Sequence, residues 1–184
     1  MAGFDPNQPR DEIGRWTGAG IAARKAAGLP QDTMQIYCDE NGNWTAERQK
    51  LHEEIIESFF KGKTPVENPK VIVLGGGPGA GKSTIARNNL DLDENTVYVD
   101  SDAIKYMLPE MREGIKKGDL SAAAYVHEES SYLAKKISAR ASKENYNLLM
   151  DGTGDDTIEN LTRKISSLRS KNNSIEAVYV TIDA

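Results

Sequence analysis

Residues 71–84 read VIVLGGGPGAGKST, an apolar run that leads directly into a glycine-rich loop. The spacing G-x-x-x-x-G-K-[ST] turns backbone N–H groups toward phosphates, places a lysine near the β- and γ-phosphates, and offers a serine hydroxyl to Mg²⁺. The helix that follows such a loop points its positive end at the anion. We therefore predict a nucleotide-binding loop formed by Gly76, Gly77, Pro78, Gly79, Ala80, Gly81, Lys82, Ser83 and Thr84.

Strand and helix patterns alternate on both sides of this loop. Apolar runs predict strands at 71–74, 96–99, 147–150 and 177–182, and helical periodicity predicts helices at 45–60, 83–89, 103–108, 121–142 and 158–168. Such alternation predicts an α/β fold with a P-loop NTPase-type parallel sheet flanked by helices. Ligands of these sheets bind at the carboxyl ends of the strands.

The first 44 residues differ from the rest of the chain. Prolines and glycines are scattered among polar residues, and no apolar period is sustained. This composition predicts a largely disordered, flexible leader over residues 1–44, followed by one domain over residues 45–184. Residues 5–17, DPNQPRDEIGRWT, resemble a short segment of phage head-assembly proteins.

Composition excludes several classes of function. The net charge of −5 over 184 residues argues against broad nucleic-acid binding, which needs a basic face. The single cysteine, Cys38, allows no disulfide within the chain and argues against a cysteine-based zinc site. No segment has the length of a membrane span or the apolar core of a signal peptide, so we expect a cytoplasmic protein that does not bind membranes.

Aspartates follow two of the predicted strands. Asp151 ends the run Leu148-Leu149-Met150, where a carboxylate could hold Mg²⁺ directly or through water, or could simply cap the next turn. Asp100 and Asp102 follow the second strand, and one of them could accept the proton of an attacking hydroxyl. For Asp102 a plain helix N-cap is an equal alternative.

A third group of polar residues, HEES at 127–130, lies within the long predicted helix. Counting back from the apolar positions of that helix, Glu129 or Ser130 faces inward, where it could contact a substrate hydroxyl or a metal. His127 is a further candidate base, although a solvated histidine is the more common case on a helix.

Taken together, these pieces resemble the zeta-toxin family of P-loop kinases. The matching residues are 75–84, then YVDSD at 98–102, then YNLLMDGTG at 146–154, and the similarity spans about residues 45–184. The resemblance implies ATP- and Mg²⁺-dependent phosphorylation of UDP-N-acetylglucosamine, a UDP-sugar, and restraint by an antitoxin protein. It implies that Lys82 and Asp102 are catalytic, that Ser83 and Asp151 bind the metal, and that Glu129, Ser130 and Thr153 lie near the substrate.

Two departures from the family pattern bear on activity. Family members often carry an arginine after Gly-Thr-Gly, where this chain has Asp155. The lid arginines of the family would come after Ala184, so we expect the lid region to be missing from this chain. Two alternatives therefore stay open: a P-loop kinase for another hydroxyl, or a non-catalytic nucleotide-binding module of a phage structural or toxin protein.

Overall fold

The computed structural model describes residues 25–76, 81–88, 92–151, 166 and 174–180. The helices within these ranges are α1 (Met34–Tyr37), α2 (Ala46–Phe60), α3 (Lys82–Asn88), α4 (Ser101–Lys105), α5 (Pro109–Lys117), α6 (Ala122–Tyr125) and α7 (His127–Lys143). The strands are β1 (Lys70–Gly76), β2 (Val97–Asp100), β3 (Leu148–Asp151) and β4 (Ser174–Val180).

The four strands form one parallel sheet in the order β2-β3-β1-β4. Strand β1 lies in the interior of this sheet, and its residues Val71, Ile72, Val73 and Leu74 are all buried, as expected for a parallel strand covered on both faces. Each strand overlaps one predicted from its apolar run. The α/β fold class with a parallel sheet and flanking helices is therefore confirmed.

One face of the sheet packs against the helix that follows the phosphate loop. Ile72 and Leu74 of β1, Leu149 of β3 and Val180 of β4 form a buried cluster with Ala86 of α3. This packing fixes α3 under the sheet, so the start of the helix lies next to the carboxyl end of β1.

Two helical regions differ from the predictions. The helix predicted over 121–142 is divided into α6 and α7 at Val126, whose backbone leaves the helical conformation. Helix α5 was not predicted, because Met111 and Ile115 are its only large apolar residues. Pro109 starts α5 at a position that needs no N–H donor, and Gly118 ends it in the left-handed conformation.

The described part of the predicted leader, residues 25–44, is more structured than its composition suggests. The Thr33 N–H donates to the carbonyl of Tyr125, and Cys38 forms an antiparallel bridge with Trp44. The Trp44 ring packs edge-on against His52 at 4.7 Å between ring centroids. Buried aromatic surface and backbone hydrogen bonds together order this segment. Residues 1–24, including the phage-like stretch, lie outside the described residues.

The chain divides into two compact units. The first contains the described residues of 1–53 together with Asp102–Leu133, and the second contains Glu54–Ser101 with the described residues from Ala134 onward. The first unit is helical, and the second contains the sheet and α3. In the described parts of both units, no helix is long and apolar enough to cross a membrane.

Candidate functional site

The phosphate-loop pattern occupies the carboxyl end of β1 in the second unit. Gly76 has φ of +141°, and a Cβ there would approach the Val180 carbonyl oxygen to 2.5 Å, so the loop can leave the strand only through a glycine. Gly81, just before α3, also has a positive φ of +85°. The residues between these two glycines, Gly77–Ala80, lie outside the described ones.

The Lys82 side chain turns back toward the end of β1. Its residue is buried, and its Nζ donates to the Gly76 carbonyl oxygen at 3.0 Å. The ammonium is therefore held beside the backbone from which the loop starts, where it can attract the phosphate charge of a nucleotide. Thr84 is exposed, and the side chain of Ser83 is not described.

Two aspartates lie side by side at the same edge of the sheet. Asp100 at the end of β2 pairs in register with Asp151 at the end of β3, and Asp151 pairs in turn with Leu74 of β1. Paired residues of parallel strands point to the same face, so both carboxylates share one face at the carboxyl edge. The Tyr98 hydroxyl donates to Asp151 Oδ2 at 3.2 Å and orients that carboxylate.

This donor set fits Mg²⁺. The cation prefers hard oxygen ligands, keeps several waters, and is usually held by one or two carboxylates together with substrate phosphates. Half-buried carboxylates beside a phosphate loop supply that arrangement. Among the described residues, no group of three or more histidine, cysteine, aspartate or glutamate side chains could hold a metal, so this part of the chain offers no all-protein cage.

Asp102 belongs to the first unit and lies in the first turn of α4. Its Oδ1 accepts a hydrogen bond from Lys105 Nζ at 2.8 Å, one turn further along the helix. The Lys105 side chain is 3% exposed, whereas that of Asp102 is 46% exposed. The carboxylate is thus anchored by a buried ammonium and still reaches solvent.

Glu129 of α7 is fully buried within a network of charged side chains in the first unit. Arg48 donates from Nε to Glu129 Oε1 at 2.6 Å and from a terminal nitrogen to Oε2 at 2.8 Å. The same guanidinium donates to both carboxylate oxygens of Glu110, and Tyr37 donates to Glu110 as well. His52 Nε2 lies 2.6 Å from Glu129 Oε1 and, since an ionised carboxylate only accepts, carries the proton of that bond.

The contacts of the network set its ionisation. Burial opposes the charge on Glu129, but hydrogen bonds from His52 and Arg48 outweigh that effect and lower the pKa of Glu129 to about 2. Burial also raises the pKa of Glu110, but the hydrogen bonds from Arg48, a backbone N–H and Tyr37, with the charge of Arg48, together outweigh burial, so the net shift is downward. Both carboxylates therefore stay ionised at neutral pH.

These contacts bear on the residues predicted near a substrate. The inward orientation expected of Glu129 or Ser130 holds for both, since both are buried. The Glu129 carboxylate, however, is engaged by Arg48 and His52, and the Ser130 hydroxyl donates to the carbonyl of His127 in the preceding turn. Thr153 lies outside the described residues. A substrate contact by these three residues stays a prediction.

Sequence reasoning missed several polar residues of these clusters, among them Tyr98, Lys105 and Arg48. Tyr98 alternates with the buried Val97 and Val99, a pattern that places it on the same face as Asp100 and could have identified it. Lys105 stands three residues after Asp102, a spacing that brings helical side chains together. Arg48 carries no such signal, because its two partners lie 62 and 81 residues away.

A strand, a glycine loop with an inward lysine, and carboxylates at the ends of neighbouring parallel strands define an α/β protein of the P-loop NTPase type. The family model for Zeta toxin matches residues 56–184. The chain belongs to the Zeta toxin family, a family of P-loop kinase-like proteins.

Known relatives agree with this assignment. The chain is 31% identical over 103 residues to Toxin zeta of Streptococcus pyogenes, covering 55% of this chain and 36% of that protein. It is 29% identical over 99 residues to Toxin PezT of Streptococcus pneumoniae serotype 4, covering 53% of this chain and 39% of the relative. The chain thus spans little more than a third of the length of these relatives.

Solved structures share the fold. A structure of the PezAT chromosomal toxin–antitoxin system of Streptococcus pneumoniae superimposes with a TM-score of 0.65 at 24% identity, covering 74% of this chain and 57% of the other. A structure of the AvrRxo1-ORF1:-ORF2 complex gives a TM-score of 0.54 at 21% identity, covering 76% of this chain and 47% of the other.

Proposed function

We propose that this protein is an ATP-dependent kinase that transfers the γ-phosphoryl group to a sugar hydroxyl of UDP-N-acetylglucosamine. The observation that carries the proposal is the carboxyl edge of the sheet. There the Lys82 ammonium is held at the loop backbone, and Asp100 and Asp151 occupy paired positions on adjacent strands. The identity of the acceptor rests on the family resemblance.

Phosphoryl transfer depends mainly on positioning and charge neutralisation, which this edge of the sheet can supply. In the proposed reaction Lys82 neutralises charge on the β- and γ-phosphates. Ser83 and Asp151 would hold Mg²⁺, which would offset the negative charge of the phosphates. Tyr98 keeps the Asp151 carboxylate oriented through its 3.2 Å hydrogen bond.

Asp102 is assigned the role of general base. The acceptor oxygen forms a bond to the γ-phosphorus while the bond to the β,γ-bridging oxygen breaks. ADP leaves with that electron pair, and the hydroxyl proton passes to the Asp102 carboxylate. Its 46% exposure supports this role, because a base must be reachable by a substrate hydroxyl.

The test is transfer of label from γ-labelled ATP with Mg²⁺ to UDP-N-acetylglucosamine. We expect labelled sugar nucleotide with the wild-type chain and none above background with Lys82→Ala. Lys70→Ala is the matched control, because Lys70 lies on β1, the strand that leads into the loop, but is exposed and pairs with Glu176. Full transfer by Lys82→Ala would refute the assigned site.

A second arm of the same assay separates the alternatives. Transfer to another sugar, nucleoside or nucleic-acid hydroxyl, but not to the UDP-sugar, would correct the acceptor and keep the kinase. Lys82-dependent binding of ATP without transfer to any acceptor would instead favour a nucleotide-binding module. Isothermal titration with Mg²⁺-ATP, on the wild type and on both lysine variants, provides the binding measurement.

We also propose an antitoxin protein as a partner. Support comes from the two similar structures, one of which is a toxin–antitoxin system and the other a two-component complex. A protein that binds this chain and suppresses the labelled transfer at equimolar concentration is the expected result. Persistence of full activity in the complex would exclude that protein as an antitoxin.

A further inference from the structure

Lys105 is a buried cation outside the phosphate loop. It is 2% exposed, it lies at the end of α4, and its Nζ donates to Asp102 Oδ1 at 2.8 Å. An exposed lysine–aspartate pair on a helix contributes little, because both groups are well hydrated. A buried ammonium has lost that hydration and must be compensated by protein groups. The Asp102 carboxylate thus compensates part of the cost of burying the Lys105 ammonium.

The exposure of the two side chains is asymmetric. Asp102 keeps nearly half of its side chain in contact with solvent, while Lys105 has almost none. A pair whose purpose was stability alone would gain nothing from an exposed carboxylate. A carboxylate that accepts a proton from a substrate needs both a fixed orientation and access to solvent. The buried Lys105 supplies the fixed donor, and the exposed part of Asp102 leaves room for a hydroxyl to approach.

The pKa of His127, at the start of α7, is affected by the charges of both Lys105 and Asp102. Its Nδ1 is buried and has no hydrogen-bond partner among the described residues. Burial lowers the pKa of His127, the charge of Lys105 lowers it further, and the charges of Glu128 and Asp102 act in the opposite direction. The charge of Lys105 therefore lowers the pKa of the His127 imidazole, and the charge of Asp102 raises it.

We infer that Lys105 is a positioning residue for the reaction, one that holds the Asp102 carboxylate in the orientation in which it accepts the hydroxyl proton. The inference rests on the proposed kinase function. Lys105 acts through Asp102 and leaves the binding of ATP to the phosphate loop, so its loss affects kcat and spares the KM for ATP.

The first experiment compares Lys105→Met with the wild type and with Lys117→Met. Lys117 also pairs with a carboxylate within the first unit, but it is exposed, so it controls for the loss of one positive charge. Lys105→Met replaces the side chain by an unbranched apolar one that is a single atom shorter, and the half-exposed Asp102 left behind can be hydrated, so we expect the variant to fold. We expect kcat to fall by roughly 10- to 100-fold, no more than the lower end of the roughly 10²- to 10⁴-fold contribution of a general base, because the base itself is still present.

A double-mutant cycle distinguishes positioning from a structural effect. If Lys105 acts through Asp102, Lys105→Met causes no further loss of kcat in an Asp102→Asn background, because groups that act as a unit are not additive. An equal loss in both backgrounds, or an unchanged kcat in the single variant, would overturn the inference.

A second measurement needs no acceptor. NMR titration of the His127 imidazole, assigned by the signals lost in His127→Gln, should show its pKa raised in Lys105→Met and lowered further in Asp102→Asn. Lys117→Met should leave it unchanged. pKa shifts of the same sign in Lys105→Met and Asp102→Asn, or no shift in either, would overturn the inference.

Failure of the inference can be told apart from failure of the proposed function. If the wild type transfers phosphate to no hydroxyl, the proposed function fails. If the wild type is active and Lys105→Met is equally active, only the role of Lys105 fails.

Discussion

Arg48 illustrates how one side chain can tie distant parts of the chain together. Its guanidinium donates to both oxygens of Glu110 and both of Glu129, and its planar surface stacks over the Tyr37 ring at 4.2 Å. Arginine suits this position because its rigid fork matches two carboxylates at once, which a lysine ammonium cannot do. The first unit therefore depends on a residue outside the region that the family model matches.

Replacing Arg48 by alanine should destabilise the protein strongly. The substitution leaves the buried carboxylate of Glu129 without its main cation, and breaking a buried pair in this way costs about 3–5 kcal/mol. Arg140→Ala is the matched control, because Arg140 pairs with Glu57 and Glu144 near the surface, where such pairs contribute about 0–1 kcal/mol. Urea denaturation monitored by circular dichroism measures both. Equal losses for the two variants would contradict the importance of the buried network.

The ionisation of Glu129 predicts a dependence of stability on pH. Its pKa is near 4.5 in the unfolded chain and about 2 when folded, so the unfolded chain binds the proton first as pH falls. The stabilisation is complete above pH 4.5 and is lost progressively toward pH 2. Glu129→Gln removes this contribution, so its free energy of unfolding should fall less steeply than that of the wild type over this range. Parallel curves from urea titrations across the same pH range would refute the prediction.

At the scale of elements, the close contact between β1 and β4 at the start of the phosphate loop can be tested by substitution. Gly76 pairs with Val180 of β4, has φ of +141°, and leaves no room for a Cβ beside the Val180 carbonyl. Gly76→Ala should therefore cost more than Gly62→Ala, because Gly62 also has a positive φ but no described atom within 4 Å of the methyl group that alanine would add. We expect about 1 kcal/mol for Gly62→Ala and at least twice that for Gly76→Ala. Thermal denaturation of both variants decides the order, and similar losses would count against the tight contact.

The same elements show what a sequence can and cannot predict here. The strands follow from local apolar runs such as residues 71–74, and their parallel arrangement follows from the alternation with helices. Helix α5 was missed because capping by Pro109 and Gly118, rather than an apolar period, defines it. The partners of Glu129 could not be predicted, because a long-range ion pair leaves no periodic trace in the sequence.

At the scale of the whole molecule, the question is where the functional unit begins. The family model matches from residue 56, but Trp44, Arg48 and His52 make buried contacts with Glu129 and Tyr132 within the first unit. A chain that starts at residue 56 would leave Glu129 buried without either partner and would expose the aromatic surface of Tyr132. Sequence similarity thus marks a shorter segment than the one that packs together.

Truncation tests this boundary directly. We expect a chain of residues 25–184 to unfold at nearly the temperature of the full chain, because the composition of residues 1–24 predicts a flexible leader. A chain of residues 56–184 should lose cooperative unfolding, since it lacks both donors to Glu129. A third chain, residues 45–184, keeps Arg48 and His52 but lacks Trp44 and Tyr37, and should melt at an intermediate temperature. Scanning calorimetry with 1-anilinonaphthalene-8-sulfonate binding distinguishes the three. If residues 56–184 melt as cooperatively as the full chain, the upstream segment is dispensable for folding, and the Arg48 network does not hold the first unit together.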